Sequence, residues 1–182
     1  MIILTTVDPA TAEPKAKALL DGVQKKLGVT PNLMRVLAVN PSVLGAYLGF
    51  SGALLSGRLG PKLHEQIALT VAEANGCNYC LAAHSLLGKG AGLAPNDIAS
   101  ARAGKAVDPR AEAALTFARK LVANRGAVSP ADVNAAHGSS LSDADIVEII
   151  AAVALNIFTN YLNITADTDI DFPPVDKLAQ AA

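Results

Sequence analysis

The chain has 182 residues, enough for one domain with a real core, and 51% of them are apolar, with a mean hydropathy of +0.34. Fifteen basic and sixteen acidic residues are scattered along it for a net charge of −1, and aromatics make up 4% with no Trp. Without a basic block or rings for base stacking, nucleic acid is excluded as a partner, and no basic membrane-binding surface is marked. Much of the apolar excess is alanine, which favours closely packed helices, and its amount predicts that the protein also buries surface against copies of itself.

Met1-Ile2-Ile3-Leu4 lacks a basic n-region and turns polar by Thr5, so it does not read as a signal peptide. No run of about 18 apolar residues lacks polar punctuation. The nearest approach, Ile146 to Ile157, contains Glu148 and Asn156 and reads as a buried helix. The expectation is a cytoplasmic protein that does not span a membrane.

Helical patterns run through nearly the whole chain, and strand alternation is almost absent. Glu13 to Leu27 carries an apolar stripe at Ala16, Leu19, Leu20, Val23 and Leu27, with Gly28 placed to end it. Pro31-Asn32 opens a short segment. Asn40-Pro41 supplies a cap and a first-turn proline for a helix to about Ser56. After a loop at Gly57 to Gly60, Pro61 starts a helix that reaches about Asn75. Gly76 interrupts, and a further helix runs from near Cys77 into the Gly88 to Gly92 cluster.

Pro95-Asn96-Asp97 begins a short helix ending near Gly104. Asp108-Pro109 opens a long amphipathic one to about Asn124, and Ser129-Pro130 a short one to His137. Ser142-x-x-Asp145 resembles a capping box and starts the most hydrophobic helix, to about Ile164. The acidic, proline-containing tail from Asp167 reads as an extended arm over the surface. The chain is thus read as one all-α domain, 1–182, of about eight or nine helices, with an arm at 167–182. A shift of 83 positions lays Glu65 on Glu148, Cys77 on Asn160 and Cys80 on Asn163, a weak echo that allows an internal pseudo-repeat.

The chemistry concentrates between Glu65 and His84. Cys77 and Cys80 are three apart and His84 is four further on, spacings that share one helical face. Asn75-Gly76 ends the preceding helix, which puts Cys77 near the next N-cap and Cys80 in its first turn. Unpaired N–H groups there favour a thiolate. If the two helices pack antiparallel, Glu65, roughly 15 Å back at about 1.5 Å per residue, comes level with His84. A carboxylate beside an imidazole orients it and raises its basicity, and the imidazole can then deprotonate Cys80 directly or through a water.

Plain buried cysteines or a zinc site drawn from Cys77, Cys80, His84 and Glu65 or His64 remain open on spacing alone. His64, about 100° from Glu65 around the helix, reads as a surface residue. His137 reads as a helix C-terminal cation. Asn156, Asn160 and Asn163 share a face that suits a buried amide network, a subunit contact or a pocket wall.

The pattern Glu65-x11-Cys77-x-x-Cys80-x3-His84 resembles the signature of the alkylhydroperoxidase D family, within the carboxymuconolactone decarboxylase superfamily. The wording Cys77-Asn78-Tyr79-Cys80-Leu81-Ala82-Ala83-His84 is similar to the peroxidase-related branch, as are Asn160-Tyr161-Leu162-Asn163 and Asp171-Phe172-Pro173. The match is best over about 41–93.

The resemblance implies an all-α fold, homo-oligomers from dimers and trimers to hexamers, and thiol-dependent hydroperoxide reduction without a cofactor or metal. The implied partners are a small hydroperoxide and an external dithiol donor. It implies Cys80 as the peroxidatic cysteine, Cys77 as the resolving one, and His84 with Glu65 as the proton relay. Tyr79 stands where the alkylhydroperoxidase D type carries a second histidine; a phenol donates a hydrogen bond but is a poor base near neutral pH. The alternatives are a redox sensor or thiol–disulfide exchange protein using the same pair, or a lyase using Glu65 and His84. Decarboxylases of the superfamily generally lack the cysteine pair, which weighs against the lyase.

Overall fold

A computed structural model describes residues 3–175. The described residues form nine helices: α1 (Pro14–Leu27), α2 (Asn32–Leu37), α3 (Pro41–Leu55), α4 (Gly60–Asn75), α5 (Asn78–Gly90), α6 (Pro95–Arg102), α7 (Pro109–Ala123), α8 (Pro130–Gly138) and α9 (Asp143–Ala166). The starts follow the expected cap chemistry. The Asn40 side chain accepts from the Ser42 and Val43 N–H groups, Asp108 accepts from Ala111, and Ser129 and Ser142 close capping boxes with Asp132 and Asp145. Each cap satisfies backbone donors that the first helical turn leaves unpaired.

Helix α4 is the axle. It packs against α5, α6, α7 and α9, and every residue from 63 to 72 is buried. Such a helix has no solvent face, which is why His64 is buried at 6% exposure and not on the surface as its position on the wheel suggested. Helix α9 packs against α4, α7 and α3 and buries Ile149, Val153 and Asn160. It is the one described helix long and apolar enough to cross a membrane, and half of that stretch is buried inside the protein. Glu148 on α9 accepts from the Arg58 and Leu59 N–H groups at 2.8 and 3.2 Å, fixing the loop that launches α4. A Cβ at Gly57 would collide with that carboxylate.

The α4–α5 turn is as tight as a helical hairpin can be made. Gly76 takes a left-handed conformation at φ 68°, which spares it the Cβ penalty. The Gly76 N–H donates to Glu73 and the Cys77 N–H to Ala72, the paired bonds of a Schellman end. Cys77 is at once the exit of α4 and the N-cap of α5. The tail leaves α9 through Asp167 in the left-handed region. It does more than lie on the surface: Thr168 is buried, and Asp171 accepts from the Asn32 N–H at 2.7 Å, capping α2. The part of the expected arm from 176 to 182 lies outside the described residues. As for the 83-residue echo, α9 runs unbroken where α4 and α5 turn; of the matched pairs Cys80 and Asn163 meet, Asn163 donating to Cys80 Sγ, while Asn160 accepts from Asn75.

Candidate active site

The hairpin brings Glu65 and His84 level, as antiparallel packing requires. His84 Nδ1 lies 2.7 Å from Glu65 Oε2, with the two side chains 20% and 10% exposed. The carboxylate fixes the ring's orientation and leaves Nε2 as the free nitrogen. Cys77 and Cys80 are joined as a disulfide, with Cα atoms 5.3 Å apart. The Cys80 N–H donates to Cys77 Sγ at 3.3 Å, so the sulfur of Cys77 itself serves as the helix cap. Cys80 is buried at 2% exposure in the first turn of α5, where the helix dipole favours negative charge.

The sequence gives Asn163 a place on a polar helix face but no role toward the cysteines. Asn163 donates from Nδ2 to Cys80 Sγ at 3.4 Å. A donor at that distance steadies a thiolate when the pair is reduced. No described hydrogen bond joins His84 to Cys80; both line the same cavity. That cavity is about 470 Å³ and is walled by α1, α2, α3, α4, α5 and α9. Leu19, Val23, Leu48, Leu55, Leu87 and Leu155 make most of it apolar, and Cys80, Glu65, His84, His64 and Asn163 supply the polar end. Neither ring nitrogen of His64 has a hydrogen-bond partner, and burial holds its pKa below the usual imidazole value. An unpartnered neutral imidazole in an apolar cavity is equipped to hydrogen-bond a bound molecule.

Tyr79 also lines the cavity, but its hydroxyl accepts from the Leu33 N–H at 3.0 Å. Its ring stacks edge-on against Phe172 at 5.5 Å. Burial pushes the phenol's pKa well up, so it stays protonated. The residue ties α2 and the tail to the cysteine motif. Asn156 lines the cavity too, while Asn160 pairs with Asn75 away from it. His137 closes α8 beside Asp143, 3.1 Å away. Among the described residues no group of three or more His, Cys, Asp and Glu side chains is arranged to hold a metal. The residues that sequence spacing could not supply are the cavity's far walls, above all α1 and α3, whose apolar faces carry no motif.

Residues 41–123 match the model of the carboxymuconolactone decarboxylase family. A search of the curated proteins gives no match. Among solved structures, the chain is similar to an alkylhydroperoxidase AhpD core, an uncharacterized peroxidase-related protein from Ralstonia eutropha JMP134, with a TM-score of 0.81 and 26% identity over 94% of this chain and 91% of that one. A peroxidase-related protein from Silicibacter sp. TM1040 aligns with a TM-score of 0.80 and 24% identity over 92% of each chain. The debrominase Bmp8, in a cysteine-to-alanine form bound to 2,3,4-tribromopyrrole, aligns with a TM-score of 0.79 and 22% identity over 94% of this chain and 92% of that one. Residues 41–123 thus carry the match to the carboxymuconolactone decarboxylase family model, set in a fold like that of the alkylhydroperoxidase AhpD core.

Proposed function

We propose that the protein is a thiol-dependent peroxidase that reduces hydroperoxides at Cys80. The observation that carries this reading is the Glu65–His84 pair at 2.7 Å opening on the same apolar cavity as one sulfur of the Cys77–Cys80 disulfide. In the reduced protein the Cys80 thiolate, favoured by the α5 N-terminus and Asn163, attacks the terminal oxygen of a hydroperoxide. An S–O bond forms, the O–O bond breaks, and the departing alkoxide takes a proton that His84 can deliver. Cys77 then attacks the sulfenic sulfur and displaces water, giving the disulfide seen in the structure. A dithiol donor returns the pair to thiols and is itself oxidised. Tyr79 acts in this scheme as a positioning residue, because its hydroxyl is engaged by Leu33.

The cavity walls favour hydroperoxides with an apolar body over hydrogen peroxide. The chemistry suits a cytoplasmic setting, where a reducing thiol pool is at hand. Self-association is part of the proposal: Val43 and Phe50 on α3 and Phe158 on α9 are exposed along one apolar groove. The test is hydroperoxide consumption coupled to dithiol oxidation, with Cys80→Ser expected at less than about one-thousandth of the wild-type rate. Turnover that survives in Cys80→Ser and Cys77→Ser alike would sink the peroxidase reading and favour a lyase.

A further inference from the structure

The two cysteines of the disulfide, both nearly buried, line different openings. Cys80, but not Cys77, lines the apolar cavity. Cys77, but not Cys80, lines a second recess of about 390 Å³ between the α5 N-terminus and the start of the tail. Tyr79 and Asn163 form the wall between them, since both residues line both spaces. The recess is polar, edged by Asn78, Asp167, Thr168 and Asp169. Two polar atoms of residues on its wall are buried with no hydrogen-bond partner among the described residues: Thr168 Oγ1, in a residue 8% exposed, and Asn163 Oδ1, in a residue 3% exposed. Buried polar groups are normally satisfied, so orphans on a recess wall point to a polar occupant.

We infer that the recess beside Cys77 is the docking place of the reducing dithiol, and that Cys77 is the sulfur it attacks, while hydroperoxide reaches Cys80 from the opposite side. This deepens the peroxidase reading and rests on it for the identity of the oxidant. In the step, a donor thiolate forms a bond to Cys77 Sγ and the Cys77–Cys80 bond breaks. Cys80 leaves as a thiolate in the first turn of α5, where Asn163 Nδ2 donates to its sulfur. The donor's second thiol then attacks the donor sulfur of the mixed disulfide. Cys77 is released, the donor departs as its own disulfide, and its two protons end on Cys77 and Cys80. Asp167 and Asp169 on the rim disfavour a donor that carries negative charge beyond its attacking thiolate, so the rest of the donor is uncharged or cationic.

Regiochemistry decides the matter. Protein oxidised with diamide is mixed briefly with 2-mercaptoethanol, quenched with N-ethylmaleimide and mapped by mass spectrometry. The expected product carries mercaptoethanol on Cys77 and maleimide on Cys80, in at least tenfold excess over the reverse isomer. An equal mixture, or an adduct mainly on Cys80, overturns the inference. This readout needs no peroxide, so it stands even if the wild type fails to consume hydroperoxide and the peroxidase reading falls.

Two variants separate the entrances kinetically. Asn78→Trp narrows the recess, and Gly22→Phe projects from α1 into the cavity, where a Cβ meets nothing within 4 Å. Asn78→Trp should slow reduction of the disulfide by dithiothreitol at least fivefold more than it slows oxidation by cumene hydroperoxide, and Gly22→Phe should do the reverse. Both steps slowing equally in either variant would count against two entrances. 3-Mercaptopropionate should react more slowly than 2-mercaptoethanol at matched thiolate concentration; equal rates would refute the charge requirement.

Discussion

Helices α3 and α4 are neighbours in sequence and nearly equal in length, yet they live in opposite surroundings. Helix α4 buries ten of its sixteen residues, charged and polar ones among them, whereas α3, a string of apolar and small residues, buries only Leu44 of its fifteen. Hydrophobicity therefore does not decide which helix becomes the core. Helix α4 is surrounded because α5, α6, α7 and α9 all pack on it, and Glu65 and His64 are carried inside with it. They are tolerated there because Glu65 is paired with His84 and His64 is held neutral. Helix α3 keeps one side as a cavity wall and leaves Val43, Phe50 and Leu55 exposed, a surface a monomer rarely keeps for nothing.

The contrast makes graded predictions. The largest effect should come from the pair that α4 and α5 share. His84→Ala should lower the hydroperoxide rate by about 10²–10⁴-fold, and Glu65→Gln by less, since the ring survives and loses only its orienting charge. A Glu65→Gln variant as slow as His84→Ala would show that the carboxylate does more than orient the ring. Next is packing: Ile67→Ala, at a position of 0% exposure on α4, should cost about 2–5 kcal/mol in urea denaturation.

A smaller effect is expected from His64. Its pKa lies below the ordinary 6.5, chiefly because burial disfavours the imidazolium. A depressed native value means the stability from the neutral ring is whole above pH 6.5 and is lost as pH falls toward the native pKa. His64→Gln should flatten the fall in melting temperature below that pH, and an unchanged slope would show that the ring escapes the penalty. The smallest effect belongs to α3. Phe50→Ala should change monomer stability by no more than about 0.5 kcal/mol, while weakening self-association in sedimentation if this face joins copies. A loss as large as that of Ile67→Ala would erase the distinction between the two helices.

The motif was legible because its geometry is local. Cys77, Cys80 and His84 lie within one short helix and its N-cap, and Gly76 announces the turn that brings Glu65 back alongside, so spacing alone placed Glu65 beside His84. The helix starts were legible for the same reason: Asn40-Pro41, Asp108-Pro109 and Ser129-Pro130 cap helices through bonds spanning two or three residues. The surroundings of the motif were not. His64 looked exposed because a helical wheel assumes one wet face, and α4 has none.

Local bonds are written in neighbouring residues, and so the sequence by itself determined about eight or nine helical segments with many of their caps and the composition of the cysteine–histidine–glutamate cluster. Which cysteine lines which opening depended on α9 and the tail, which bring Asn163 and Phe172 from the far end of the chain against Cys80 and Tyr79 and place Thr168 on the recess that Cys77 lines. The shape of the cavity likewise depended on α1 and α3 closing over it. Those contacts join distant segments, Tyr79 and Phe172 being 93 positions apart (172 − 79), and only tertiary packing, which balances all helix faces at once, could decide them.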